Sequence, residues 1–282
     1  MSESPIDLAG IFQLEPLDSN RYRGDIPKTT SQWVFGGHII GQAMAAACRT
    51  VTGRLPHSLH SHFLKPGDPL VPIIYRVEVL RDGRTYSFRR VTAIQCANAI
   101  CSIMVSFQIE EQGAFDHQDE MPYVSPPERL AAEQLAKQPV FVETPEFIRR
   151  NYGIELLMVE TGRYFGQKLA DGHTHVWMKT AAKLPDNPTL HVCALAYVSD
   201  YPLLDAVTAR YGSPPFDKWM IRASLDHAMW FHRAFRADEW LLYAQESPSA
   251  HAGRGLTRGL IFEPGGSLVA TVAQEGSVRE RR

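Results

Sequence analysis

At 282 residues with 44% hydrophobic side chains, the chain has apolar surface enough for one large domain or two of roughly 100–150 residues, and disorder as its main state is excluded. Its 29 basic and 31 acidic residues are mixed along the chain to a formal charge of −2, which excludes a basic stripe for nucleic acid and a polybasic block for a lipid surface. The four cysteines, Cys48, Cys96, Cys101 and Cys193, form no C-x-x-C pair, which favours reduced thiols over a disulfide framework or a zinc site and points to the cytoplasm.

The opening MSESPIDLAGIF carries no positive stretch followed by a long apolar run, so a signal peptide is not expected, and no apolar run nears the roughly 18–20 residues of a membrane helix. The tail SVRERR does not read as an S-K-L peroxisomal address. Residues 36–51, GGHIIGQAMAAACRTV, open on two glycines and are apolar on nearly every side, which predicts a helix that protein must surround. From Tyr75, YRVEV alternates apolar and charged residues, RDG supplies a turn, and TYSFRRVTAI and AICSIMVSFQIE continue as apolar, partly β-branched runs. Three antiparallel strands in a meander follow. Residues 109–150 are polar and proline-punctuated with one modest helix, as a linker between compact units is.

The second half repeats the first. SLHSHFLKPGD at Ser58 returns as SLDHAMWFHRAFRADEW at Ser224, each followed by a strand ending near Tyr75 or Tyr243, a turn and two more strands. Ahead of each set GGHIIGQAM and SDYPLLDAV read as short helices, and counting from the two tyrosines sets Gln108 against Gln274. We therefore expect two copies of one α+β unit, residues 1–115 and 146–282, joined by a linker over 116–145.

In YVSDYPLLDAV, Asp200 stands between an apolar run and the first turn of the expected helix. An ionised group there is either a cap or a working part, and with Pro202 behind it capping is the ordinary reading. By the same standard Gln274 reads as a satisfied polar residue on a half-buried strand and Ser224 as a local backbone binder.

A helix wrapped by a curved antiparallel sheet, twice over, resembles the hotdog fold in its tandem, double-hotdog form. The motifs WVFGGHIIGQAM, LHSHFLKPGD, YVSD, SLDHAMWFHRAFRADEWLLY and VATVAQEGSVR resemble the acyl-CoA thioesterase II family over nearly the whole chain. The resemblance implies hydrolysis of acyl-CoA thioesters to fatty acid and CoA without metal or organic cofactor. It implies a catalytic set of an Asp at a helix start, a Thr or Ser two residues before a D-H pair, and a Gln on the last strand: here Asp200, Ser224 and Gln274. Ser224 departs from the Thr of familiar members but keeps the donor and acceptor of a hydroxyl.

The chemistry suits these residue types. Thioester hydrolysis needs a held water, a group to take its proton and donors for the developing oxyanion. Asp200 can take the proton while Ser224 and Gln274 fix the water, and no G-x-S-x-G elbow offers a serine-hydrolase route. Gly36 and Gly37 would let a substrate carbonyl approach backbone N–H groups at a helix start. His60 and His62 alternate onto one face, where packing or substrate lining outweighs a metal site, and His60 joins Gly36 and Gly37 as a substrate-side candidate. Asp226 and His227 divide evenly between acid–base chemistry and hydrogen-bonded structure. His173 to His175 read as a turn into a strand.

Two rivals remain at this stage. Hydration of an enoyl-CoA, another hotdog chemistry, would need a His five residues after Asp200, where Asp205 stands. A non-catalytic acyl-CoA-binding module would keep the pocket and lose the chemistry. The tandem repeat predicts one continuous sheet across both halves, a site drawing on both, an inactive counterpart around Gly37, Ser58 and Gln108, and room for homo-oligomers of double units.

Overall fold

In a computed structural model, which describes residues 6–28, 31–137, 145–214, 217 and 219–281, the first half runs through α1 (Leu8–Ile11), β1 (Glu15–Pro16), β2 (Arg21–Gly24), α2 (Gly36–Cys48), β3 (Leu55–Phe63), β4 (Ile73–Asp82), β5 (Tyr86–Gln95) and β6 (Asn98–Gln108). Two helices follow, α3 (Pro127–Lys137) and α4 (Pro145–Tyr152), where one is expected from the sequence; residues 138–144 of the expected linker lie outside the described residues. The second half has β7 (Ile154–Met158), a 3-10 turn at Thr161–Phe165, β8 (Thr174–Thr180), α5 (Pro188–Leu203), α6 (Ala206–Ala209), β9 (Met220–Ser224), β10 (Asp226–Phe231), β11 (Leu241–His251), β12 (Arg254–Phe262) and β13 (Leu268–Glu280).

One antiparallel sheet of thirteen strands carries both halves, in the order β1-β2-β4-β5-β6-β3-β10-β13-β12-β11-β8-β7, with β9 paired to β13. The order reads alike from the centre outward, β3-β6-β5-β4-β2 on one side and β10-β13-β12-β11-β8 on the other. The seam is the β3–β10 pair, whose register sets Asp226 opposite His62, His227 opposite Ser61 and Trp230 opposite Ser58. Matching Ser58 with Ser224 matches Ser61 with His227, so the local two-fold axis passes between the one pair of equivalent residues that also face each other. This is the tandem hotdog architecture. Tyr75 and Tyr243 occupy equivalent places near the starts, rather than the ends, of β4 and β11.

The two buried helices run antiparallel against each other inside the sheet. A Cβ on Gly37 would lie 2.2 Å from the Tyr197 carbonyl oxygen and one on Gly41 3.2 Å from that of Cys193, so glycine is what allows α2 and α5 this close approach. One apolar cluster spans both halves, from Ile39 and Met44 through Ile103 and Phe107 to Leu195 and Val272. The linker is strapped to the outer face of the second half. Trp177 donates Nε1–H to the Ser125 carbonyl at 2.9 Å, Gln118 accepts from Leu268 N at 3.0 Å, and Leu130 of α3 joins Trp177, Leu242 and Phe262 in a second apolar cluster.

The helix before Asp200 differs from the sequence expectation. Asn187 caps α5 by accepting from Thr189 N at 3.0 Å, with Pro188 at the first helical position, so Asp200 lies in the last turn of a sixteen-residue helix and is no N-terminal cap. Twelve residues of α5 are buried, so it carries no amphipathic stripe and its apolar run HVCALAYV gives no helical period to read.

Candidate active site

Three elements of the second half bring Asp200, Ser224 and Gln274 together. Gln274 on β13 donates from Nε2 to Asp200 Oδ1 at 2.8 Å and to Ser224 Oγ at 2.6 Å, and the Ser224 hydroxyl donates to the same Oδ1 at 3.2 Å. Asp200 is 8% exposed and Gln274 fully buried, while Ser224 is half-buried. Hydrogen bonds to a charged acceptor contribute about 1.5–3 kcal/mol each, so the pair on Oδ1 holds the carboxylate in one orientation.

A bend at Leu225 delivers Ser224. Phe63 N donates to the Leu225 carbonyl at 2.9 Å, Leu225 N donates to the Glu275 carbonyl at 2.9 Å, and Asp226 Oδ1 accepts from Glu275 N at 2.7 Å. The chain therefore leaves the β3 edge at this residue, and β9 continues on β13 alone with Ser224 opposite Gly276. Asp226 holds that bend.

The first half supplies the other wall. A Cβ on Gly36 would stand 2.7 Å from Asp200 Oδ2 and 3.0 Å from the Phe63 ring, so the carboxylate faces the start of α2. The first N–H groups of a helix have no intrahelical partner, and Phe35 at the cap position makes no side-chain cap bond, so the Gly36 and Gly37 amides at the start of α2 are not capped by it. Beyond them the rings of Phe35, Tyr152, Tyr197 and Tyr201 pack edge to face with centroids 4.8–5.9 Å apart. A cavity of about 570 Å³ opens at the Met220 end of β9, where Tyr211, Trp219, His251 and Arg254 line it; the trio is not in its wall.

Other candidates fall elsewhere. His60 is exposed on the sheet face opposite Ser61 and packs edge-on to Trp230 at 5.2 Å, so it does not approach the trio. Gln108 lies at the end of β6 and donates to Glu111 at 2.7 Å. Register corrects its pairing with Gln274. Ala228 and His62 are equivalent, and they face Ala273 and Ser102, so the residue in the place of Gln274 is Ile103, which is buried opposite Ser61. With α2 and α5 aligned on their starts, Cys48 stands where Asp200 does.

Asp205, the place a hydratase histidine would take, is half-buried with Arg222 Nε 3.7 Å from its Oδ1. Thr174 begins β8, and His175 is paired with Glu160 at 2.7 Å. Among the described residues no three His, Cys, Asp or Glu side chains gather as a metal-binding group. Nor is any helix among them long and apolar enough to cross a membrane.

His227, which the sequence divides evenly between acid–base chemistry and hydrogen-bonded structure, and Ser199, which sequence reasoning leaves out of the site, back the trio. His227 Nδ1 lies 3.1 Å from Gln274 Oε1 and its Nε2 3.0 Å from Ser199 Oγ. Burial pushes the imidazole below its usual range, with Asp200 and Gln274 opposing. Cys101 is close enough for Asp200 to act on it, and burial together with that charge pushes its thiol up to about 12.

Known proteins resemble the chain over nearly its whole length. Residues 146–277 match the family model described as acyl-CoA thioesterase, and residues 26–108 match that of the acyl-CoA thioesterase N-terminal domain. The chain is 38% identical to acyl-CoA thioesterase 2 of Haemophilus influenzae over 99% of both chains. It is 36% identical to acyl-coenzyme A thioesterase 8 of Rattus norvegicus over 97% of this chain and 89% of that one. The acyl-CoA thioesterase II TesB2 of Mycobacterium marinum superposes with a TM-score of 0.79 at 39% identity, covering 98% of each chain. A hot dog fold protein of Alicyclobacillus acidocaldarius, 17% identical with a TM-score of 0.78, shares the fold. On its sequence and its architecture alike, the chain belongs to the acyl-CoA thioesterase family in its tandem hotdog form.

Proposed function

We propose that this enzyme hydrolyses acyl-CoA thioesters by directing a water, with Asp200 as general base and Ser224 and Gln274 orienting the nucleophile. The observation that carries the reading is the convergence of Gln274 Nε2 and Ser224 Oγ on Asp200 Oδ1, with Oδ2 turned to Gly36 at the start of α2. A water at Oδ2 loses its proton to the carboxylate as its oxygen bonds to the thioester carbon. The carbonyl oxygen takes the negative charge and is met by the Gly36 and Gly37 amides. Collapse breaks the carbon–sulfur bond, and the proton on Asp200 passes to the departing CoA thiolate, restoring the base. No step calls for a metal or an organic cofactor.

The aromatic cluster of Phe35, Tyr152, Tyr197 and Tyr201 gives the acyl chain an apolar wall beside Gly36. We place the activity in cytoplasmic fatty acid metabolism, which the four unpaired thiols support. Exposed Tyr86, Met104 and Trp230 on the outer sheet face support a homo-oligomer of double units.

Two measurements on the purified enzyme test the mechanism: thiol release from acyl-CoAs of short to long chain, and intact mass after acid quench in mid-turnover. Turnover with no acyl adduct on the protein is expected. An acylated Ser224 would replace the water-directed route by a nucleophilic serine, and binding without turnover would favour the binding-module rival.

A further inference from the structure

Behind the trio the polar network continues inward, and its hydrogen bonds run in one direction. An ionised Asp200 only accepts, so the Gln274 group facing it is the amide NH2, whose two hydrogens go to Asp200 Oδ1 and Ser224 Oγ. Gln274 Oε1 then faces His227 Nδ1 at 3.1 Å, and two acceptors at that distance would repel, so Nδ1 carries the proton. In the neutral ring that leaves Nε2 as an acceptor, and the Ser199 hydroxyl lies 3.0 Å from it. The same hydroxyl has the Ala196 carbonyl at 3.1 Å and Met229 Sδ at 3.2 Å, but it has one proton; the sulfur is a weak acceptor and the carbonyl already serves the helix, so the proton goes to the ring nitrogen. His227 and Ser199 are both fully buried, and Ser61 Oγ anchors the His227 backbone by donating to its carbonyl at 2.9 Å, at the seam between the two halves.

We propose that His227 is a positioning residue for thioester hydrolysis. Donating Nδ1–H to Gln274 Oε1, it fixes the face of the amide so that the NH2 addresses Asp200 and Ser224, and Ser199 selects the tautomer that does so. The inference rests on the water-directed reading above for its kinetic consequence, but the tautomer itself does not depend on it. His227 touches no substrate; it acts through Gln274. A wrongly turned amide would set its carbonyl oxygen against the carboxylate and leave the Ser224 oxygen without a donor.

The tautomer is read directly from long-range 1H–15N correlations on the enzyme carrying 15N-labelled histidine at neutral pH, with His227→Asn to assign the signals. A neutral ring protonated at Nδ1 is expected; an Nε2-protonated or doubly protonated ring overturns the proposal. Kinetics supply the readout that a packing role would not move. His227→Leu is expected to lower kcat about tenfold to a hundredfold with KM within about twofold, in the range of a mispositioned catalytic group. His227→Asn, whose amide nitrogen stands near the place of Nδ1, is expected to recover most of that loss. On a Gln274→Ala background, His227→Leu is expected to cost nothing further, because its route to the substrate is already gone. Full additivity, an Asn variant as slow as Leu, or an unchanged kcat in His227→Leu would each overturn the assignment. If His227→Leu does not fold, the tautomer and the Asn variant still decide. Loss of the Asp200 base role would appear instead as full activity in Asp200→Asn with the His227 tautomer unchanged.

Discussion

Gly36 and Asp200 meet across the boundary between the two halves, with Asp200 Oδ2 only 2.7 Å from the place where a side chain on Gly36 would begin. The neighbouring glycine has a different constraint: a Cβ on Gly37 would press on the Tyr197 carbonyl and the Phe35 ring, atoms that hold α2 to α5. Gly36→Ala should therefore fold normally and lose about tenfold to a hundredfold in kcat, the scale of a displaced reacting group. Gly37→Ala should lose about 1–3 kcal/mol of stability by overpacking, measured by urea unfolding. Equal effects of both on stability would contradict the placement of Gly36 at the carboxylate.

Ser224 links Gln274 to Asp200 through one hydroxyl. Ser224→Ala should lower kcat by about 10²-fold, as removal of an oriented donor does, while Ser224→Thr should stay within severalfold of the wild type because the hydroxyl is kept. Steady-state thiol release with matched circular dichroism separates the two.

The counterpart in the first half has Cys48 and Ile103 in the places of Asp200 and Gln274, and Ser58 opposite Trp230 and Ser106. With no carboxylate and no amide there, Ser58→Ala should leave kcat unchanged. A large loss of activity without a loss of stability would show a second working site.

His38 is buried at the start of α2 with Nε2 lacking a partner among the described residues, and burial lowers its pKa from 6.5 to about 4. The unfolded chain thus binds this proton between pH 6.5 and 4 while the folded chain does not. Its contribution is complete above pH 6.5 and lost as pH falls toward 4, by about 3 kcal/mol in all. Burial lowers His227 as well, which adds a loss of the same sign. Urea unfolding across this range should show stability rising with pH, and His38→Leu should flatten the slope.

Much of the fold is legible in the sequence because local signals agree with the global one. The glycine pair and alanine run mark α2, alternation marks β4, and the Ser58 and Ser224 motifs disclose the repeat that the sheet order reproduces. The helix α5 escapes because burial on all sides erases its period, although Asn187 and Pro188 carried an ordinary start signal. Gln108 was matched to Gln274 by counting residues, which fails where the two halves differ in strand bulges and loops; paired register, which sequence lacks, points to Ile103. Asp200, Ser224 and Gln274 came from family motifs, since each alone had an ordinary structural reading. Their hydrogen bonds to one another, and the turn of His227 behind them, depend on which atoms face which.

The most direct test of the account is thiol release from a panel of acyl-CoAs by the wild-type enzyme and by Asp200→Asn, with circular dichroism showing both folded. An amide in place of the carboxylate keeps the shape and removes the base, so the variant should lose about 10²–10⁴-fold in kcat on every acyl-CoA the wild type turns over. A folded Asp200→Asn enzyme with wild-type kcat would contradict the central claim, because the proton of the attacking water would then be going elsewhere.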